Sequence, residues 1–290
     1  MKDYVIYTDT CADFDEKKIA ELGIEVSPLT FHIDGGSYAN WPDGREMAFS
    51  EFYSRLRGGS TSSTSQINVI DFTEAFRPIL EGGRDILYIG FSSGLSGTVS
   101  SGKVAAEELS AEFPDSKIIV VDSLAASLGQ GLLVWHAVQQ KRQGKTIEEL
   151  AGWLEENKLK LAHWFTVNDL NFLKRGGRVS GAAALFGTML NIKPILHVDN
   201  NGKLIPMEKV RGRKQSLDAL ADHMEKTAIN PAEQVIFISH GDCLEEAEYL
   251  AAEVKRRFGV KEVYINYVGP VIGSHSGPGT MALFFLATSR

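Results

Sequence analysis

The chain has 290 residues, of which 43% are hydrophobic and 23% charged, with 28 glycines and 9 prolines. That is ordinary globular composition at a length suited to two domains, and it excludes a disordered, fibrous or single-module protein. Thirty Lys and Arg against 37 Asp and Glu leave a formal charge of −7, which excludes a general nucleic-acid binder, since phosphate contacts need a basic surface.

The N-terminal run YVIYTD at 4–9 is short and apolar and reads as a strand. It lacks the basic start and long apolar core of a secretory signal, so a cytoplasmic protein is expected. ILYIGF at 86–91 and IIVVD at 118–122 are further unbroken apolar runs, each followed by a helical pattern. Strands of that kind are covered on both faces, which predicts a parallel sheet between helices in an α/β fold. After the acidic helix IEELAGWLEENK the pacing changes, and a boundary is placed near residue 158, giving domains 1–158 and 159–290.

In the second half, LAHWFTV at 161–167, KPILHVD at 193–199 and GKLIPMEKV at 202–210 read as strands. The last two are joined across Asn200-Asn201-Gly202, a hairpin signal that makes this sheet mixed or antiparallel. Leu217, Leu220, Ala221 and Met224 recur at helical spacing, as do Leu244, Ala247, Ala251 and Val254. QVIFISH at 234–240 and VYINYV at 263–268 complete the strands. From Val263 to Ser289 the chain carries no charged residue, but the prolines and glycines of GPVIGSHSGPG would leave backbone groups unpaired in lipid, so no integral membrane segment is expected.

Cys11 and Cys243 are too few for a disulfide framework, and the seven histidines show no H-x-x-x-H spacing, so no metal site and no cofactor are predicted. The polar stretches are more informative. FSSGLSGTVSSG at 91–102 lies between a strand and a helix, where open α/β sheets present ligands and where helix N–H groups and Ser or Thr hydroxyls suit an anionic head group. It is neither a dinucleotide fingerprint nor a Walker loop, and the plain alternative is a capped helix start. STSSTSQIN at 60–68 reads as a loop with an N-cap, whose Thr64 and Ser65 would share an anion with Ser93 if the fold joins them. His275 sits in a Gly-Pro-Gly loop, and Arg178 and Arg211 lie beside glycines with the donors to hold a phosphate.

Taken together, TDTCAD at 8–13, TSQ at 64–66, SSGLSGT at 92–98, VDSLAASLGQGLLV at 121–134, LKRGGRVSG at 173–181, NIKPIL at 191–196 and GPVIGSHSGPG at 269–279 resemble the DegV family, in its order and over nearly the whole chain. The resemblance implies a fatty-acid-binding protein akin to the FakB subunit of a bacterial fatty-acid kinase. Such a protein holds a long-chain fatty acid while a separate kinase subunit phosphorylates its carboxylate with ATP. It implies that Thr64, Ser65, Ser93 and His275 surround the carboxylate and that Arg178 and Arg211 serve the phosphate or partner end. One departure is that the family's TSQ is commonly followed by Pro-Ser, whereas Ile67 and Asn68 stand here.

The physics of such a ligand is lopsided. Burying about fifteen methylenes at about 0.8 kcal/mol each supplies about 12 kcal/mol of gross driving force, before the entropy of association. The carboxylate costs free energy unless donors satisfy it, so the head-group site fixes orientation. Residues 182–190 and 281–286 are the candidates for an apolar tunnel lining. Two other readings compete: a serine hydrolase pairing Ser93 with His275, although no G-x-S-x-G elbow is present, and a binding protein for a phosphorylated metabolite.

Overall fold

The computed structural model describes residues 2–179 and 191–290. Strand β1 (Tyr4–Asp9) is buried along its whole length and is followed by α1 (Glu16–Leu22), which Asp15 caps by accepting from the Lys18 N–H at 2.6 Å. Next come β2 (Glu25–Ser27), β3 (Thr30–Ile33), β4 (Gly36–Ala39), α2 (Phe49–Arg57) and β5 (Ser62–Ser65). Then α3 (Val69–Glu81), β6 (Asp85–Gly90), α4 (Thr98–Glu112), β7 (Ile118–Asp122), α5 (Leu128–Arg142) and α6 (Ile147–Asn157) complete the first half. Strands β2-β1-β6-β7 form a wholly parallel sheet, as unbroken apolar runs require when both faces are covered. The fold is therefore α/β.

A small antiparallel sheet, β4-β3-β5, stands apart from the parallel one. The expectation of a loop over residues 60–68 is corrected here. Ser62–Ser65 pair with β3, so a hydroxyl-rich stretch of low strand propensity is held extended by its neighbour. The departure at Ile67-Asn68 has a structural use: Ile67 is buried, and Asn68 caps α3 in a reciprocal capping box with Asp71.

After a short 3-10 turn at Lys158–Lys160, the chain enters β8 (Leu161–Thr166), α7 (Leu170–Arg175), β9 (Ile192–Val198), β10 (Leu204–Arg211) and α8 (Arg213–Thr227). It ends with β11 (Val235–His240), α9 (Leu244–Phe258), β12 (Glu262–Tyr267), α10 (Pro270–Ser276) and β13 (Met281–Leu286). The second sheet has the order β10-β9-β8-β13-β11-β12 and is mixed, with only β11 and β12 parallel among these neighbours. The hairpin signal is realised as the antiparallel β9–β10 pair, with Gly202 at φ 69° in its turn. On α8 the four predicted apolar residues are buried, whereas on α9 Leu244 is exposed because it occupies the first turn and Leu250 takes its place on the inner face.

Two features join the halves. Helix α5 is buried along its N-terminal half and touches β1 and β6 on one side and β8, β11 and β13 on the other, as a helix apolar all round must. One apolar core accordingly includes Ile6, Leu132, Phe165 and Phe284. Helix α10 crosses back to pack on α2, β3 and β5. The region expected to be a Gly-Pro-Gly loop is thus partly helical, with Pro270 in the first turn, where its missing N–H costs nothing. No helix among the described residues is long and apolar enough to cross a membrane.

Candidate functional site

A cavity of about 410 Å³ lies between the halves, a size suited to a small-molecule ligand. One wall is the inner face of the second sheet, where strand alternation turns His163, Phe165, Val198, Ala282 and Phe284 to the same side. Leu29, Phe91, Val268, Val271 and Leu204 close much of the rest. Of the predicted tunnel segments, 281–286 contributes Ala282 and Phe284, and 182–190 lies outside the described residues.

The polar part of the lining is built by three segments. Strand β5 brings Thr64, whose Oγ1 lies 2.8 Å from His275 Nε2 on α10. Alternation turns the next residue the other way: Ser65 borders the cavity, but its hydroxyl is hydrogen-bonded to His32 Nε2 at 2.8 Å. The loop before α4 brings Ser96 and Gly97, with Ser96 Oγ accepting from the Thr98 N–H at 3.2 Å. Gln66 also lines the cavity, and its amide donates to Ser101 Oγ at 3.1 Å, tying β5 to α4. The turn after α7 brings Arg178, which donates to the Gly176 carbonyl.

Gly176 shows why this turn needs glycine, because a Cβ there would stand 2.3 Å from His275 Nδ1. The close approach buries His275, and burial, helped by the Arg178 charge, pushes its imidazole down to about 4. His275 is therefore neutral near pH 7, not a cation for the carboxylate. Its Nδ1 is buried without a partner, as is Ser276 Oγ.

Two predicted residues lie elsewhere. Ser93 is exposed, is not part of the cavity wall and takes its backbone N–H to Asp122 Oδ1 at 3.2 Å. The loop's anchor is instead the buried Ser92, which donates to the Gly202 carbonyl at 2.8 Å, and this places the third serine of the motif, Ser96, at the cavity. No hydrogen bond joins Ser93 to His275, so the hydrolase pairing is not assembled. Arg211, at the end of β10, is exposed and away from the cavity. Thr64, Ser65, Arg178 and His275 do come together around it.

The sequence reading did not single out Gln66, Ser127, Ser239 or His163. Ser127 begins α5 and is hydrogen-bonded to Ser239 at 2.8 Å and to the buried Asp13 at 2.5 Å. The only sequence signal for these was their place in VDSLAASLGQ and at the ends of strands. Among the described residues no cluster of His, Cys, Asp or Glu could hold a metal ion.

Two α/β halves thus enclose an apolar wall beside a corner of hydroxyls, a neutral imidazole and one guanidinium, a lining suited to an amphiphilic small molecule. The sequence profile of the DegV family matches residues 3–288, and the chain belongs to that family. It is 48% identical over its 290 residues to a DegV domain-containing protein of Clostridium perfringens, covering 100% of this chain and 99% of that protein. Solved structures agree. A DegV lipid-binding protein from Thermotoga maritima superposes with a TM-score of 0.88 at 30% identity, covering 99% of each chain. A DegV family protein from Thermus thermophilus, described for its fatty-acid binding, superposes with a TM-score of 0.87 at 31% identity over 100% of both chains.

Proposed function

We propose that this protein binds a long-chain fatty acid in the cavity between its halves and presents the carboxylate to a separate kinase subunit, which transfers a phosphoryl group from ATP to give an acyl phosphate. The observation that carries the reading is the pairing of an apolar wall, Phe165, Val198 and Phe284, with the polar corner at Thr64, Ser96, Arg178 and His275 in one cavity. The DegV relatives whose structures are described as lipid- or fatty-acid-binding support it. The wall supplies affinity by removing methylenes from water, and the corner supplies donors for the charged end. The chain's own part is binding and orientation, and the kinase brings nucleotide and chemistry. A cytoplasmic place suits both that partnership and the two free thiols, Cys11 and Cys243.

The experiment is organic extraction of the purified protein with mass spectrometry of the extract, followed by titration of the delipidated protein with palmitate and oleate. About one fatty acid per chain is expected; the absence of both recovered fatty acid and uptake of added palmitate or oleate would sink the proposal. Incubation of the loaded protein with a fatty-acid kinase subunit and ATP should yield hydroxylamine-trappable acyl phosphate. Loaded protein that yields none would remove the kinase step alone.

A further inference from the structure

Arg290 is half-buried where the two halves meet, and its guanidinium faces main-chain carbonyls. Nε donates to Leu161 at 3.0 Å, Nη2 to Lys158 at 2.7 Å, and Nη1 to Leu124 at 2.6 Å and to Asp199 at 3.4 Å. One planar fork thus ties together the entry to β8, the loop between β7 and α5, and the turn between β9 and β10. Burial pushes the group down to about 10, with the Asp199 and Asp122 charges opposing, so it remains a cation at neutral pH.

The loop it grips is strained. Leu124 and Ser127 stand at φ 51° and 55°, a region that residues other than glycine hold only when their surroundings impose it. Arg290 holds the Leu124 carbonyl at one end, and Asp13, 2.5 Å from Ser127 Oγ, holds the other. Between them the Ala125 carbonyl accepts from the Ser92 N–H at 3.1 Å, and Asp122 Oδ1 accepts from the N–H groups of Leu124 and Ser93. The second support of Ser92 is the Gly202 carbonyl, which accepts from its hydroxyl at 2.8 Å. Gly202 donates its own N–H to the Asp199 carbonyl at 2.9 Å, and packs so closely on Leu124 that a Cβ would stand 3.1 Å from the leucine Cα. Both supports of Ser92 therefore lie in loops that Arg290 clamps together. The Ser92 carbonyl in turn accepts from the Ser96 N–H at 3.1 Å, and Ser96 borders the cavity.

We propose that Arg290 is a positioning residue: by clamping the Leu124 and Asp199 carbonyls it fixes the loop that carries Ser96 into the head-group corner. The inference rests on the fatty-acid reading of the cavity and deepens it, since it assigns part of the head-group affinity to a side chain outside the cavity lining. Lysine is no substitute, because an ammonium is a point charge without a fork to span several carbonyls.

The test is a double-mutant cycle on the delipidated full-length protein, titrated with palmitate: wild type, Arg290→Ala, Ser96→Ala and the double variant. Thermal melting first establishes that each is folded at the titration temperature. Arg290→Ala is expected to weaken palmitate binding several-fold, about as much as Ser96→Ala. The double variant should bind within about two-fold of the weaker single variant, because coupled residues do not lose affinity independently. Should Arg290→Ala not fold, Arg290→Lys takes its place in the same cycle with the same expectation. A side chain that served only the stability of the fold would lower the melting temperature and leave the affinity of the folded protein alone, or add its loss to that of Ser96→Ala. Unchanged affinity in the Arg290 variant overturns the proposal, as do losses that multiply in the double variant. Wild type that binds no palmitate overturns the fatty-acid reading instead, so the two failures are distinguishable.

Discussion

Thr64 Oγ1 and His275 Nε2 lie 2.8 Å apart, and this hydrogen bond joins a strand of the first half to a helix of the second within the cavity wall. Because His275 is neutral, it has one ring proton to give. If Nε2–H donates to Thr64, the threonine's own proton is free for a ligand carboxylate. Thr64→Val keeps the shape, removes the donor and leaves the imidazole unpaired. Fatty-acid affinity should fall about 10-fold, about 1.4 kcal/mol, while Thr64→Ser should stay near wild type. Displacement of a fluorescent fatty acid measures both, and an unchanged Thr64→Val would remove this pair from the head-group site.

The two serines of SSGLSGT that differ in exposure should differ in consequence. Ser96 borders the cavity and Ser93 faces solvent. Ser96→Ala should weaken fatty-acid binding several-fold, with a small stability cost for the lost turn bond to Thr98. Ser93→Ala should leave affinity within about two-fold, as surface substitutions do. The reverse ranking in the same titration would restore the assignment of Ser93.

The contrast between these serines marks what the sequence makes legible. Periodicity exposed the elements that bury apolar faces, such as β1, β6 and α8, because their pattern is a direct image of burial. It did not separate Ser93 from Ser96, since a motif's hydroxyls look alike until a tertiary contact, here Ser92 on the Gly202 carbonyl, turns the loop. It also missed β5, whose serines take strand form only because β3 pairs with them.

The junction between the halves should be intolerant of bulk at Gly129. A Cβ there would stand 2.1 Å from His163 Nε2 and 2.9 Å from Phe284 Cδ1. Gly129→Ala should destabilise by about 1–3 kcal/mol despite alanine's better helix propensity, because crowding in a packed interior outweighs a gain of at most about 1 kcal/mol. Urea unfolding gives the difference. A more stable Gly129→Ala would mean that α5 does not pack so closely on β8.

Asp13 should make stability fall as pH rises. Its carboxyl is buried where the halves meet, close to Ser127 Oγ and accepting from the Gly269 N–H at 3.0 Å. Burial pushes its pKa up to about 8, with the bonds from Ser127 and Gly269 opposing and the Asp9 charge adding to the rise. The folded chain thus keeps this proton to about pH 8, while the unfolded chain releases it near about pH 4. Between those limits the native state binds more protons, so the stabilisation, full below the unfolded value, is lost steadily as pH climbs and levels off beyond the folded one. Asp13→Asn cannot ionise, yet its amide can still accept from Gly269 and donate to Ser127. Relative to wild type, Asp13→Asn should therefore gain stability from about pH 5 to about pH 8, by at most about 1.4 kcal/mol per unit. Parallel stability curves for the two proteins across this range would show that Asp13 is already ionised inside the fold, and that its two hydrogen bonds outweigh its burial.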